Sequence, residues 1–432
     1  MLPIFEEYKQ FLKDNNIDVS EYDCNKLWVD RQIIKAFNKN GEIVKILKIN
    51  VDDNLNVSHK YYVKKIKNSE IETWEQTYLR FEKDIKEKEQ ESISVILNMV
   101  NKYPDYQKIL NTSTGKDSIL LDYICKKSGV IIDRKIFNNT TMDTADTYKM
   151  AKSDKQIEII TPKLSNGNNR SFYTMIQNHG VPSRHHRWCC TYFKEGASEQ
   201  YLKNQDNLLF FMGMRNEESS SRSDYGFEWK NTQWINKTWV GTLPIRKWTE
   251  LELWLYTIHN NVQINPKYKK GYSRCGCHIA CPFYSKSTWV LDKYWYRQQY
   301  DRYHKILDED FINNQKWTRL NCTQEEYHYN WNGGVVRKIP TIDVIQEFAD
   351  YKNISIDIAE KYFEKTCCEC KNNKGNPTSI NKKDEIAMNL KMLGRNTEKF
   401  MCKKCLMKFF NMDKEQWDEH IKRFKQQGCD LF

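Results

Sequence analysis

A glycine turn between an apolar run and a helical segment is the first part of the sequence that could do chemistry. Its residues are Ser113, Thr114, Gly115, Lys116, Asp117 and Ser118. Glycine lets the backbone approach a phosphate closely, and a helix that begins here presents unpaired N–H groups to an anion. The lysine adds positive charge and the hydroxyl groups add donors. The turn therefore predicts a phosphate site, although it lacks Walker spacing; the alternative is a helix N-terminus with polar capping.

Four charged residues farther along the chain also suit an anionic substrate: Lys194, Arg215, Glu218 and Arg222. Arginine binds phosphate or sulfate through two parallel hydrogen bonds, whereas lysine acts as a point charge. We expect Glu218 to orient one of the arginines or to close a structural ion pair. Each residue taken alone is equally typical of a surface charge, so the prediction of one site depends on the series.

Five cysteines in the same region are candidates for a metal site. Cys189 and Cys190 are adjacent, and Cys275, Cys277 and Cys281 follow on one short segment. Thiolates are ligands of both 4Fe–4S clusters and zinc. We predict Cys190, Cys277 and Cys281 as ligands, with either Cys275 or Cys189 as the fourth. Buried or reactive free thiols are the alternative.

Two C-x-x-C pairs near the C-terminus have the spacing of a structural four-thiolate zinc site. They are Cys367 with Cys370 and Cys402 with Cys405. A module this small has too little core to fold readily alone, so the metal would supply folding free energy. Lysines crowd the module, which fits either docking of nucleic acid or a partner, or a solvated basic face.

The elements that must position these residues follow an α/β pattern from about residue 93. The pattern predicts strands at 108–111, 134–138, 157–160 and 207–212, and helices at 116–127 and 249–260. Upstream, a helix-like start precedes strand-like runs such as 43–51, and the charged stretch 82–91 is predicted as an exposed helix or a boundary. The predicted domains are an N-terminal α+β region (1–92), a catalytic α/β domain (93–286), a helical region (287–365, with a helix pair at 342–351 and 356–363) and a zinc module (366–432).

The motifs, in this order, resemble the PP-loop ATP pyrophosphatases and the wider phosphoadenosine-phosphosulfate (PAPS) reductase superfamily. Residues 113–118 resemble the S-G-G-K-D-S loop, departing at Thr114, where glycine is usual. Asn139, Thr140 and Thr141 resemble the N-T-G segment beside the adenosine. Residues 187–194 resemble the R-W-C…K block, residues 213–222 the G-x-R-x-x-E-S-x-x-R pattern, and residues 244–277 the downstream block.

This resemblance implies a parallel sheet with flanking helices, of the adenine nucleotide alpha-hydrolase-like kind. It implies catalysis by Lys116, Asp117, Arg215 and Arg222, and nucleotide binding by the loop with Asn139, Thr140, Thr141, Lys194 and Glu218. Retention of Lys116 and Asp117, which sulfonucleotide reductases commonly lose, favours ATP, with Mg²⁺ bridging its phosphates.

The cysteine layout also resembles iron–sulfur members of the superfamily, including adenylyl-sulfate reductases and DNA phosphorothioation sulfurtransferases. That resemblance favours a 4Fe–4S cluster in the catalytic domain, beside Zn²⁺ in the C-terminal module.

Composition bounds the partners. The net charge of +11 favours a polyanion such as nucleic acid, although many lysine-rich surfaces carry such charge without a ligand. No apolar run is long enough to cross a bilayer, and the start lacks a signal-peptide layout. We therefore expect a cytoplasmic protein without a membrane partner, whose 14 cysteines are not structural disulfides.

Three functions are compatible with these features. The first is an ATP pyrophosphatase that adenylylates an acceptor, such as nucleic acid, so that sulfur can replace oxygen, with a sulfur-donor protein or complex subunits as partners. The second is an APS or PAPS reductase with Cys429 as the nucleophile; an exposed tail thiol is the alternative for that cysteine. The third is a nucleic-acid-binding subunit of a defence or modification complex that uses ATP as a switch.

Overall fold

The computed structural model describes ten stretches of chain and nine isolated residues. They are residues 1–62, 66–164, 167–183, 187–218, 225–230, 238–277, 279–313, 323–331, 383–393 and 400–426, with Trp234, Asn236, Gln346, Ala349, Asp350, Ser355, Ile356, Cys367 and Glu369. Arg222, Cys370, Cys429 and most of the predicted helix pair lie outside the described residues. The chain divides into two compact units, the first formed by 1–172, 189–280 and 284–302, the second by 173–188, 281–283 and 303–432.

Five strands form an antiparallel sheet at the start of the first unit. In spatial and sequence order they are β1 (Leu2–Pro3), β2 (Trp28–Asp30), β3 (Ile33–Phe37), β4 (Ile43–Val51) and β5 (Val57–Tyr61), with helix α1 (Glu6–Asp14) after β1. Strand side chains alternate between faces, so Leu47 and Ile49 are buried while Lys48 is exposed. The strand predicted at 43–51 is confirmed.

A 29-residue helix, α2 (Trp74–Lys102), follows this sheet. A capping box fixes its start, because the Thr73 hydroxyl accepts from the Gln76 N–H and the Gln76 side chain accepts from the Thr73 N–H. The charged stretch 82–91 is therefore helical, but it is not simply exposed, since Ile85 and Glu89 are buried. The helix also runs through the predicted boundary at residue 92, and the first unit shows no break there.

The second sheet of this unit has the predicted α/β topology. Its strands are β6 (Gln107–Asn111), β7 (Arg134–Asn138), β8 (Ile157–Ile160), β9 (Leu208–Met212), β10 (Glu228–Trp229) and β11 (Val240–Thr242). Their spatial order is β10-β11-β9-β6-β7-β8, and all pairings are parallel except that of the edge strand β10. Because parallel strands are covered on both faces, their residues are mostly apolar. Ile109, Leu110 and Phe210 are accordingly buried.

Eight further helices lie between residues 116 and 313 of the described chain. They are α3 (Lys116–Lys127), α4 (Ala145–Ser153), α5 (Phe172–His179), α6 (Gly196–Leu202), α7 (Glu250–His259), α8 (Pro266–Lys269), α9 (Lys286–Trp295) and α10 (Arg297–Asn313). Of these, α5 from Tyr173 onward and α10 from Tyr303 onward belong to the second unit. The helices predicted at 116–127 and 249–260 are thus confirmed, the second with Thr249 as its N-cap. In the described part of the chain, no helix is both long and apolar enough to span a bilayer.

The described part of the second unit is helical. It contains α11 (Gln324–Asn330), α12 (Lys383–Met392), α13 (Lys403–Phe409) and α14 (Lys414–Gln426). Met388, Leu406, Trp417 and Phe424 form a small core with Cys367, Cys402 and Cys405.

Candidate functional site

The hexapeptide 113–118 connects β6 to α3, at the edge where the parallel strands end. Ligands of open α/β sheets bind at this edge. The turn is tied by its own side chains, because the Thr112 hydroxyl accepts from the Thr114 N–H (3.1 Å) and the Ser118 hydroxyl accepts from the Ser113 N–H (3.3 Å). Thr114 has φ of 51°, a left-handed conformation that is costly for a β-branched residue. Glycine in the related S-G-G-K-D-S loops would adopt it without strain.

The downstream block covers this loop directly. Asn265 Nδ2 donates to Thr114 Oγ1 (2.9 Å), and the Tyr268 hydroxyl accepts from the Lys116 N–H (2.8 Å). The Cys275 thiol lies 3.6 Å from the Ser113 carbonyl oxygen. Ser113 is exposed, whereas Thr114, Gly115, Lys116 and Ser118 are buried. The Tyr268 hydroxyl thus accepts a hydrogen bond from the Lys116 N–H, which is one of the helix N–H groups that could otherwise bind a phosphate.

Asp117 and Arg215 form the contact that joins the loop to the second charged motif. The Arg215 Nε donates to Asp117 Oδ1, and its Nη1 donates to Glu217 Oε2 (2.8 Å) and to the Trp248 carbonyl (3.2 Å). Burial favours the neutral acid, yet Lys116 and Arg215 together hold the pKa of Asp117 below its usual range. The pair is therefore ionised, and it links positions 98 residues apart in sequence.

Gly213 makes this contact possible. A Cβ at Gly213 would lie 2.8 Å from the carbonyl carbon of Asp117 and 3.0 Å from the Ser118 nitrogen. Only a residue without a side chain lets the end of β9 approach the first turn of α3 so closely. Two residues on, the Arg215 N–H donates to Glu218 Oε2 (3.3 Å), so Glu218 holds the backbone of the arginine.

Lys116 is 8% exposed and lies among carboxylates. Its Nζ is 3.1 Å from Asp117 Oδ2 and 3.7 Å from Glu250 Oε1, and the Glu250 N–H donates to Glu217 Oε2 (2.6 Å). Among the described residues these carboxylates do not converge into a ready-made cation site. Mg²⁺ usually takes only one or two carboxylates together with substrate phosphates, and Asp117, Glu217 and Glu250 offer that donor chemistry.

The segment Asn139 to Thr141 forms a polar turn after β7. Asn139 Oδ1 accepts from the Thr141 N–H (2.9 Å), and Asp143 Oδ2 accepts from the Thr140 hydroxyl (2.7 Å). The other oxygen of the Asp143 carboxyl accepts from the Cys277 N–H (3.3 Å). The turn is therefore connected to the cysteine segment, and burial raises the pKa of Asp143.

Lys194 is exposed in a π-helical turn, Cys190–Glu195, whose Lys194 carbonyl accepts from Asn138 Nδ2 (2.8 Å). Such turns are rare and recur at functional sites. The turn begins at Cys190, so the predicted R-W-C…K block has an unusual backbone where its cysteine and lysine lie.

Cys275, a predicted metal ligand, lies against the phosphate loop. Its thiol packs against the loop and beside the Tyr268 hydroxyl (3.6 Å), and burial raises its pKa. Within the first unit, Cys189 is buried, whereas Cys190 and Cys277 are half-buried. None of these four first-unit cysteines belongs to a three-residue metal-binding group among the described residues. The half-buried Cys281 belongs to the second unit. The 4Fe–4S cluster at these cysteines therefore stays a prediction.

The C-terminal module does bring cysteines together. One sulfur each from Cys367, Cys402 and Cys405 lies within 4.8 Å of the others. Asn389 fixes the approach to this group, because its Nδ2 donates to the Met401 carbonyl and its Oδ1 accepts from the Met401 N–H, both at 2.7 Å. Two of these thiols belong to the pair Cys402 and Cys405, and the third is that of Cys367, which forms an isolated β-bridge with Phe400. Three such thiols could hold a metal ion. The fourth predicted ligand, Cys370, lies outside the described residues.

Sequence reasoning assigned no role to Lys267 or Tyr268, although both lie in the downstream block. Lys267 is fully buried, with Nζ 3.3 Å from the Tyr284 hydroxyl and 4.6 Å from the Tyr272 ring centroid, and burial lowers its pKa. Its neighbour Asp292 has a pKa raised by burial to about 7. No periodicity marks a buried lysine on a four-residue helix, so only the tertiary structure identifies it.

The fold and this edge of the sheet define a class: an α/β domain with a phosphate-type loop at the carboxyl end of its parallel strands. Residues 107–282 match the family described as "Phosphoadenosine phosphosulfate reductase domain". The match falls on the part of the chain whose motifs predicted this resemblance.

Curated relatives agree with this assignment at low identity. An uncharacterized protein of Methanocaldococcus jannaschii is 29% identical over 244 residues, which is 54% of this chain and 58% of that protein. A second protein of that organism is 28% identical over 46% of this chain and 40% of its own length, so the chain spans about half of these two relatives. The adenosine 5'-phosphosulfate reductase 1 of Bacillus subtilis is 25% identical over 48% of this chain and 85% of that enzyme.

Among solved structures, the PAPS reductase from Candida auris in a phosphate complex is similar to 45% of this chain and 94% of its own. The identity is 17% and the TM-score 0.34.

Proposed function

We propose that this protein is an ATP pyrophosphatase that adenylylates an acceptor, so that sulfur can replace oxygen, with nucleic acid as the acceptor. The observation that supports it best is the buried Asp117–Arg215 pair. Through that pair, two motifs of the domain family flank Lys116 at the edge where nucleotides bind in α/β sheets.

The roles of the residues follow from their positions. The Lys116 ammonium and the Arg215 guanidinium would stabilise negative charge that develops on the departing pyrophosphate. Asp117 positions both cations, and Glu218 holds the Arg215 backbone. Because the two cations are now neutralised by carboxylates, an incoming Mg²⁺–nucleotide would exchange these contacts for phosphate oxygens and carboxylate–metal bonds.

The reaction we propose has two chemical steps. An acceptor oxygen attacks the α-phosphorus of ATP, the bond to the β-phosphate breaks, and pyrophosphate leaves. A sulfur nucleophile from a donor then attacks the activated acceptor atom, and the oxygen departs with AMP. Zn²⁺ in the C-terminal module is assigned a structural role.

Reduction of a sulfonucleotide is the second candidate, because several curated relatives are named adenosine 5'-phosphosulfate reductases. Those names favour a substrate with sulfur on the α-phosphate. The retained Lys116 and Asp117 favour ATP instead, since the added charge would serve a β,γ-pyrophosphate that APS lacks.

Product analysis separates the two candidates. The purified protein is incubated anaerobically with Mg²⁺ and either α-labelled ATP or sulfur-labelled APS, with and without single-stranded nucleic acid. From ATP we expect pyrophosphate when the nucleic acid is present, and an equal amount of AMP once sulfide is added as the sulfur nucleophile. Both products should be strongly reduced in Lys116→Met, and APS should give no sulfite. Sulfite release from APS with a thiol reductant, and no pyrophosphate from ATP, would favour the sulfonucleotide reductase over the ATP pyrophosphatase. Lys155→Met, at an exposed lysine, is the control.

A further inference from the structure

The antiparallel N-terminal sheet has two lysines directly opposite each other. In the register of β4 with β5, Lys48 pairs with Lys60, and both side chains are exposed. Directly opposed like charges destabilise a sheet. An anion bound between the two ammonium groups would relieve this repulsion.

The other lysines of the sheet region show the contrast. Lys35 on β3 is paired with Asp30, and Lys26 with Asp23. In the described part of the chain, the ammonium groups of Lys45, Lys48 and Lys60 form no ion pair and no hydrogen bond, in contrast to those of Lys35 and Lys26. β5 is also an edge strand of this sheet, so no sixth strand of the described chain borders the lysines.

An exposed aromatic ring accompanies these lysines. Tyr62 follows β5, its N–H donates to the Ile46 carbonyl, and its exposed fraction is 36%. The Lys45 Nζ lies 5.8 Å from the centroid of the Tyr62 ring. Since residues 60 and 62 point to the same face of a strand, the ring lies on the face that carries Lys48 and Lys60.

We propose that the surface formed by Lys48, Lys60 and Tyr62, together with Lys45 beside the Tyr62 ring, binds single-stranded nucleic acid. The lysines would neutralise consecutive phosphates, and the ring would stack on a base, which is the combination that single-strand-binding surfaces use. A duplex hides its base faces, so the tyrosine favours a single strand. This inference does not rest on the proposed chemistry, because it concerns binding and a different sheet.

Fluorescence anisotropy with a labelled oligouridylate of about 16 nucleotides tests the proposal on the full chain without ATP. We expect wild-type binding that weakens with salt. Lys48→Glu and Lys60→Glu should each lower the affinity and reduce the slope of log K against log salt by about 0.7. Tyr62→Ala should lower the affinity roughly tenfold, and Tyr62→Phe should restore it. Lys155→Glu, which changes the net charge equally at an exposed site in the catalytic domain, should bind like wild type.

Stability provides a second readout that protects the test from misfolding. Lys48→Glu places a carboxylate opposite Lys60, so its Tm should equal or exceed that of wild type while its binding falls. The proposal is overturned if wild type does not bind, if Lys155→Glu loses as much affinity as Lys48→Glu, or if duplex DNA or phosphatidylserine vesicles bind through these lysines in place of the single strand.

Discussion

Asp117 is the residue on which the candidate site depends most, because it contacts both Lys116 and Arg215. The sequence identified all three residues as candidates but could not pair them. Such a contact depends on where β9 ends relative to α3, which no local pattern encodes. The same limit applies to Tyr268, whose hydroxyl caps an N–H group 152 residues away in sequence.

The pH dependence of stability should report the ionised state of Asp117. Its pKa is lower in the folded protein than in the unfolded chain, so its stabilising contribution is present above the unfolded value of about 4 and is lost as pH falls through the folded value. Asp117→Asn should lower the unfolding free energy at neutral pH, because it removes one of the two carboxylates that neutralise the buried Arg215. The substitution should also make the unfolding free energy less dependent on pH below about pH 4, as measured by urea denaturation at a series of pH values.

Asp105→Asn is the matched control, because this aspartate is exposed. Its curve should follow that of wild type. Wild type and Asp117→Asn curves that run parallel below pH ~4 would mean that the carboxyl is not ionised by its neighbours.

Four strands of the second sheet, β6 to β9, were predicted to within a residue, since parallel strands are apolar runs bounded by polar turns. The shorter β10 and β11 were not predicted. The prediction at 108–111 became Gln107–Asn111, and that at 207–212 became Leu208–Met212. The length of α2 was missed. Its charged surface suggested a boundary, whereas its inner face buries Glu89, which accepts from the Tyr256 hydroxyl (2.8 Å). Composition does not distinguish a polar residue with a buried partner from a solvated one.

The approach of β9 to α3 can be tested through Gly213. In Gly213→Ala the new Cβ would meet backbone atoms of Asp117 and Ser118, which cannot move aside as a side chain could. We expect a loss of about 1–3 kcal/mol in unfolding free energy and weaker binding of ATP, measured by denaturation and calorimetry. Gly276→Ala is the matched control, because a Cβ there has no neighbour within 4 Å. Equal effects of the two substitutions would show that this close packing is unimportant.

For the whole molecule, the sequence predicted an α/β domain and a cysteine-based C-terminal module, and the described residues contain both. It could not predict that Cys275 packs beneath the phosphate loop, because spacing alone does not reveal which side of a turn a thiol takes. The neighbouring Cys277 has a φ of 48°, a left-handed backbone conformation that the spacing of the cysteines does not predict either. The iron–sulfur cluster therefore stays a prediction, whereas three of the predicted zinc ligands lie together.

Removal of the C-terminal metal should unfold the C-terminal module and leave the first unit folded. Cys402→Ser should lower the zinc content, measured by mass spectrometry, and should unfold the small core around Trp417. Cys24→Ser, which changes a half-buried cysteine of the first unit, should leave the zinc content unchanged. Full zinc occupancy in Cys402→Ser would contradict this ligand assignment.

The central claim is that the loop beside Lys116 and Arg215 holds the pyrophosphate part of a nucleotide. Equilibrium binding of ATP, pyrophosphate and AMP to wild type and to Lys116→Met, measured by calorimetry with Mg²⁺, tests it most directly. The account predicts that pyrophosphate and ATP bind more tightly than AMP, and that the substitution weakens the first two much more than the third. Equal affinity for all three ligands, or binding unaffected by Lys116→Met, would contradict it.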